Sequence, residues 1–230
     1  GDGNAIKAGD PVSVAEGVLR VPVGSGLLGR VIDPMGRALD GGTDPVPDRM
    51  DPVERAAPSL TDRGTVAETL STGTTIIDAL YPIGRGQREL IVGDRATGKT
   101  CIAVDAMLAQ ARTNIVPIYC AIGQRASAVA DVINSLKMAG LMERAIVIVA
   151  APDAAPGLQW VAPFAAMTMA EFFRDTGRHA LLVLDDLSKH AAMHRQISLL
   201  LQRPPGREAF PGDIFHLHAR LLERSAKLSA

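Results

Sequence analysis

The stretch Gly93-Asp94-Arg95-Ala96-Thr97-Gly98-Lys99-Thr100 decides how this chain is read. It matches G-x-x-x-x-G-K-[ST], a glycine-rich turn whose backbone N–H groups cradle phosphate. In such a turn the lysine reaches the β- and γ-phosphates and the hydroxyl ligates Mg²⁺. The flanks agree with the motif. Glu89-Leu90-Ile91-Val92 reads as a buried strand, and Thr100 to Ala111 as a helix rich in good helix formers. Strand, glycine turn and helix together aim amide N–H groups and a helix N-terminus at an anion. All eight residues from Gly93 to Thr100 are therefore candidate contacts for a nucleoside phosphate.

Composition narrows the remaining classes. Of 230 residues, 47% are apolar and 21% charged, enough for a packed core and too apolar for wholesale disorder. The formal net charge is −1 with no lysine or arginine block, so no electrostatic footprint for nucleic acid is present. Aromatics at 3% leave few platforms for stacking single-stranded bases. Cys101 and Cys120 have no metal-type spacing and read as buried thiols in a reducing compartment. No apolar run approaches membrane-spanning length and no signal peptide opens the chain, which predicts a soluble protein, with a peripheral role on a membrane complex left open.

Residues 1–42 differ from the rest. Val12-Ser13-Val14, Val18 to Val23 and Leu27 to Ile32 are β-prone runs between Gly, Pro and Asp turns. They are too few to close a barrel, so they predict the C-terminal part of a small β-domain with unburied valines and leucines and an open sheet edge. Opening without Met in mid-pattern, the chain reads as a piece of a longer protein. Residues 43–70 read as an extended connector, with Pro45, Pro47, Pro52 and Pro58 in it and Pro34 upstream. From 71 to 230 strands alternate with helices. Strands are expected at Glu89–Val92, Ile115–Ile122, Ala145–Ala150, Ala180–Asp185 and Ile214–Leu217. Helices are expected near Lys99–Arg112, Ser127–Met138, Pro163–Arg174, Leu187–Leu201 and Ala219–Lys227. Near-continuous apolar strands such as A-I-V-I-V-A and A-L-L-V-L-D suit a parallel sheet covered on both faces, an α/β fold.

A second oxygen ligand for Mg²⁺ is expected at the end of an apolar strand, and Ala180-Leu181-Leu182-Val183-Leu184-Asp185-Asp186 supplies Asp185 there. Asp186 reads as the cap of the following helix. Hydrolysis needs a group that orients or deprotonates the attacking water. Many ring ATPases place a glutamate at the end of the strand beside the glycine turn. Here that strand ends in Gly123-Gln124-Arg125. A carboxamide can hydrogen-bond water but cannot accept its proton near neutral pH, so Gln124 argues for binding with little turnover and no catalytic residue is assigned. His190 and His194 have the i, i+4 spacing of H-E-x-x-H zinc sites but lack its glutamate, and His216 and His218 share one face of an expected strand. Both pairs are expected to pack rather than bind metal.

From Gly73 to Lys227 the chain resembles the α subunit of F-type ATP synthase. The resemblance rests on Ile77–Thr100 (I-D-A-L-Y-P-I-G-R-G-Q-R-E-L-I-V-G-D-R-A-T-G-K-T), Glu171–Lys189 and Ser198–Phe215. Val21–Gly36 (V-P-V-G-S-G-L-L-G-R-V-I-D-P-M-G) resembles the end of that subunit's N-terminal barrel. The resemblance implies a RecA-like phosphate-loop core, incomplete at its C-terminal side. It also implies a tightly held, non-catalytic Mg-ATP or ADP, with Thr100 and Asp185 on Mg²⁺ and Gln124 where the catalytic β subunit has glutamate. The implied partners are catalytic β subunits and a central-stalk γ subunit in a hetero-hexameric ring, peripheral to the cytoplasmic face of a bacterial inner membrane. Ala96 departs from the glutamine usual in the family, Lys189-His190 from Lys-Gln, and Pro156–Trp160 from the common pattern. These departures are similar to the divergent N-type ATPase, which moves Na⁺ or H⁺. The alternatives are a Rho-like motor on nucleic acid and a homohexameric export ATPase acting on protein. Both are expected to carry glutamate at position 124, so Gln124 and the Ser198–Phe215 stretch disfavour them.

Overall fold

Apolar runs with no polar alternation can be satisfied only by strands covered on both faces. The computed structural model, which describes residues 9–11, 13 and 17–229, builds the domain on such strands. In chain order the elements are β1 (Arg20–Val23), β2 (Val31–Ile32), β3 (Arg49–Pro52), β4 (Thr69–Leu70), α1 (Thr75–Leu80), β5 (Ile83–Gly84) and α2 (Lys99–Leu108). There follow β6 (Val116–Ile122), α3 (Ala126–Met138), β7 (Ile146–Ala150), α4 (Pro156–Asp175), β8 (Ala180–Asp185), α5 (Leu187–Leu200) and α6 (Ile214–Leu222). The main sheet is parallel, in the order β2-β7-β6-β8. The fold is thus α/β, with helices on both faces of a four-stranded parallel sheet.

Every residue of β6 is buried. Ile118, Cys120 and Ile122 face α4 with Ile146, Ile148, Phe164, Ala165 and Met169. Tyr119 and Ala121 face the opposite side with Val104 and Met107 of α2 and Val129, Val132 and Leu136 of α3. The period-2 alternation of a strand divides one apolar run between two cores. Helix α4 starts with Pro156 at its first position, where the missing N–H costs nothing. It runs on through Pro163, which removes the amide that the Gln159 carbonyl would otherwise accept from.

Several expectations are corrected. Val21, Val23, Leu27 and Ile32, expected to be unburied, are fully buried in the core beneath α4. β1 pairs antiparallel with β3 from inside the expected connector, and β2 adds to the main sheet through Val31 opposite Val147. Val12 and Val14 of the first β-prone run lie outside the described residues. Glu89–Val92 is not a strand: it joins no sheet, and Leu90 and Val92 are 74% and 81% exposed. Its apolar composition suits a strand, but composition supplies no neighbour to receive its backbone bonds. Ile214–Leu217 opens helix α6 rather than forming a strand. Leu217 and Leu221, four apart, are buried there while Phe215 is 83% exposed. Four apolar-rich residues cannot reveal their period until the next turn is counted. Cys120 is buried, but Cys101 on the first turn of α2 is exposed.

A buried ion pair fastens the segment after α6 to this framework. Arg224 and Glu171 are each 2% exposed. Arg224 donates from Nε to Glu171 Oε1 at 2.9 Å and from Nη2 to Oε2 at 2.7 Å, in a bidentate fork. It also donates to the Val53 carbonyl and the Thr168 hydroxyl. Breaking such a pair from one side leaves the buried Glu171 carboxylate with only its longer contacts to Arg55 at 3.3 Å and Arg174 at 3.9 Å. Arg224→Met should therefore lower the unfolding free energy by about 3–5 kcal/mol. Denaturant titration checks this, and a loss below about 1 kcal/mol would show that the pair carries no such role.

Candidate phosphate-loop site

The turn that opens α2 is shaped by two glycines. Gly98, the residue before the helix, sits at φ +89°, a left-handed conformation that glycine adopts without penalty. A Cβ on Gly93 would lie 2.8 Å from Thr97 Oγ1, so only a bare backbone fits beside that hydroxyl. Thr97 Oγ1 donates to the Asp94 carbonyl at 2.8 Å, tightening the turn. Lys99 curls over it, its Nζ donating to the Gly93 carbonyl at 2.7 Å and to the Asp94 carbonyl. Gly93, Asp94, Arg95, Ala96, Thr97, Gly98, Lys99 and Thr100 thus form one continuous turn ending in a helix start. Ala96 holds φ +60°, unfavourable for a residue with a Cβ.

Strand alternation brings Asp185 to this turn. Leu181 and Val183 of β8 pack into the core that contains α2, and Asp185, two further on, faces the same way. Thr100 Oγ1, on the first turn of α2, donates to Asp185 Oδ2 at 2.8 Å. Tyr119 Oη donates to the same oxygen at 2.9 Å, and Gln124 Nε2 donates to Oδ1 at 2.7 Å. Burial, with the Asp185 carboxylate beside it, pushes the Tyr119 phenol up, so it stays a protonated donor. On the far side of Gln124, Lys189 Nζ donates to Gln124 Oε1 at 2.9 Å and to the Gly123 carbonyl at 3.0 Å. Asp186 accepts from the Lys189 amide at 2.7 Å and caps α5, the role the sequence suggested.

A hydroxyl and a carboxylate already in contact form a hard oxygen pair of the kind Mg²⁺ prefers. Thr100 and Asp185 therefore fit the metal expected from the motif. Tyr119 and Lys189 were not singled out for this site. Tyr119 could have been found from register, since it faces Val183, two pairs before Asp185 and on the same face of the sheet. Lys189 had no signal, because only the entry of α5 beside β6 brings it to Gln124.

A glycine turn, a hydroxyl at a helix start and an acidic strand end on a parallel sheet define an α/β phosphate-loop domain. Residues 73–230 match the ATP synthase alpha/beta family, nucleotide-binding domain. The chain belongs to that family. It is 63% identical over 225 residues to ATP synthase subunit alpha 2 of Gluconobacter oxydans (strain 621H), covering 98% of this chain and 44% of that protein. It is 58% identical over 228 residues to ATP synthase subunit alpha 3 of Paraburkholderia xenovorans (strain LB400), covering 99% and 43%. Against ATP synthase subunit alpha 2 of Burkholderia pseudomallei (strain K96243) the identity is 57% over 225 residues, covering 98% and 34%. The chain therefore spans less than half the length of these relatives.

The histidines lie behind this site. His216 and His218 are on α6, not on a strand. His190 is fully buried, with Nδ1 at 2.9 Å from His218 Nε2 and Nε2 at 2.9 Å from the Trp160 carbonyl. Trp160 Nε1 donates to His194 Nδ1 at 3.1 Å, and His194 Nε2 lies 2.9 Å from Asp213 Oδ1. The network ties α4, α5 and α6 together. No group of three or more His, Cys, Asp or Glu that could hold a metal occurs among the described residues.

Burial pushes His190 down to about 4. Between its ordinary value, about 6.5, and 4, the unfolded chain binds a proton that the folded chain refuses. Stability is thus fully present above pH 6.5 and falls as pH drops towards 4, by about 3 kcal/mol from this residue. His190→Gln should remove that part of the slope. Denaturation curves of both proteins between pH 7 and 4.5 check this, and parallel slopes would refute it.

Proposed function

We propose that this chain is the nucleotide-holding, non-catalytic alpha part of a rotary, ion-translocating ATP synthase. Gly93 to Thr100 bind the phosphates of ATP or ADP, with Lys99 supplying charge at the β- and γ-phosphates. Thr100 and Asp185 hold Mg²⁺, which when bound adds positive charge beside the phosphate oxygens. The observation that carries the reading is Gln124, whose carboxamide donates to Asp185 at the place where a catalytic glutamate would take a proton. With an amide there, the site can grip a nucleotide and orient it, but Gln124 cannot deprotonate an attacking water.

The relatives' names, ATP synthase subunit alpha, support the assembly that goes with this role. The partners are catalytic β subunits and a γ stalk in a hetero-hexameric ring, held peripherally at the cytoplasmic face of a bacterial inner membrane. No helix among the described residues is long and apolar enough to cross a membrane. We place a barrel-type domain at 1–42, a connector at 43–70 and the RecA-like nucleotide-binding domain from 71 onward. Residues 20–53 lend buried side chains and a parallel strand to that domain.

Lys99→Ala should weaken Mg-ATP binding by about 10- to 100-fold, the value of one or two charge-assisted hydrogen bonds, without unfolding the domain. Calorimetric titration measures it, and unchanged affinity would mean that the loop is not the site. The chain without partner subunits should turn over ATP well below about 1 per second. Phosphate release at or above that rate from a clean preparation would sink the non-catalytic reading.

A further inference from the structure

Lys189 stands outside the phosphate turn, and nothing in the motif calls for it. Its ammonium nevertheless ends a continuous chain of hydrogen bonds that reaches the turn. Lys189 Nζ donates to Gln124 Oε1 at 2.9 Å, Gln124 Nε2 donates to Asp185 Oδ1 at 2.7 Å, and Thr100 Oγ1 donates to Asp185 Oδ2 at 2.8 Å. The carboxamide can take only one orientation here. Reversed, it would set its carbonyl against a carboxylate and its NH₂ against an ammonium. Lys189 is itself anchored by the Gly123 carbonyl at 3.0 Å, while its backbone amide is fixed by the Asp186 cap of α5. The lysine is therefore held at both ends, on a helix rather than a loop.

We propose that Lys189 is a positioning residue for the metal ligand: by fixing the Gln124 carboxamide it orients the Asp185 carboxylate towards Thr100. The proposal rests on the Mg-nucleotide reading above and adds the device that aims its acidic ligand. Outer partners that orient a ligating carboxylate commonly contribute 10- to 100-fold to metal affinity. Lys189 acts one bond further out. The rival explanation is direct attraction between the Lys189 charge and the phosphates, and the two differ in their dependence on the metal. Positioning acts only when Mg²⁺ is bound. Direct attraction acts on metal-free ATP at least as strongly, because that nucleotide carries more negative charge.

The test compares the intact chain with K189M and K189R by calorimetry, using ATP in Mg²⁺ and ATP in EDTA. Positioning requires that K189M lose about tenfold in Mg²⁺ and change by less than about twofold in EDTA, with K189R recovering most of the loss. Equal losses with and without Mg²⁺, or no loss in either, overturn the proposal. A second measurement needs no variant and no nucleotide. In the ¹⁵N spectrum of the free chain, the Gln124 side-chain NH₂ should exchange slowly with water and show the restricted motion of a held group. A freely rotating, rapidly exchanging amide refutes the lock even if K189M does not fold. If the wild-type chain fails to bind Mg-ATP at all, the functional reading falls, while faster exchange of the Gln124 amide in K189M than in the wild type still decides whether Lys189 holds it.

Discussion

Strand β6 has no face open to water, and the rest of the domain is arranged to meet that constraint. Its backbone is paired by β7 on one side and β8 on the other, and its side chains are divided between two apolar layers. An N–H or C=O left unpaired at that depth would cost about as much as a lost hydrogen bond, so the strand order around it is not free to vary. Once β8 is set parallel to β6, the alternation of side chains places Asp185 on the α2 side. Once α2 is packed on that face through Val104 and Met107, Thr100 lies over the end of β8. The meeting of hydroxyl and carboxylate is a consequence of core packing, not of any local signal.

The same packing explains why polar residues cluster where they do. Asp185 sits where the two layers run out at the end of β8, and it accepts from Thr100, Tyr119 and Gln124, which come from three different elements. Tyr119 is fixed by burial, Thr100 by the start of α2 and Gln124 by its bond from Lys189. The carboxylate is consequently oriented in advance, which lowers the cost of assembling any site around it. On the other layer, the buried Arg224–Glu171 fork and the histidine network brace α4 against α5 and the α6 end. These groups hold the scaffold behind the site and take no part in it.

The amino-acid sequence by itself determined the glycine turn, the parallel α/β class, the carboxylate that ends β8 and the carboxamide at Gln124. These features are local: a glycine spacing, an apolar run ending in Asp-Asp, an amide in place of an acid. Helix α5 and its Asp186 cap were legible for the same reason. What the sequence could not settle depended on neighbours. Glu89–Val92 has strand composition but no strand beside it among the described residues, and Ile214–Leu217 is helical because its buried partner Leu221 lies a turn further on. Val21, Val23 and Ile32 look like parts of a separate β-unit until α4 and β7 are seen to cover them. Lys189 reads as an ordinary first-turn residue of α5 until β6 delivers Gln124 to it across 65 residues of chain. Local chemistry is written in residue order, whereas pairing and burial are settled by which surfaces meet, and that only the tertiary structure decides.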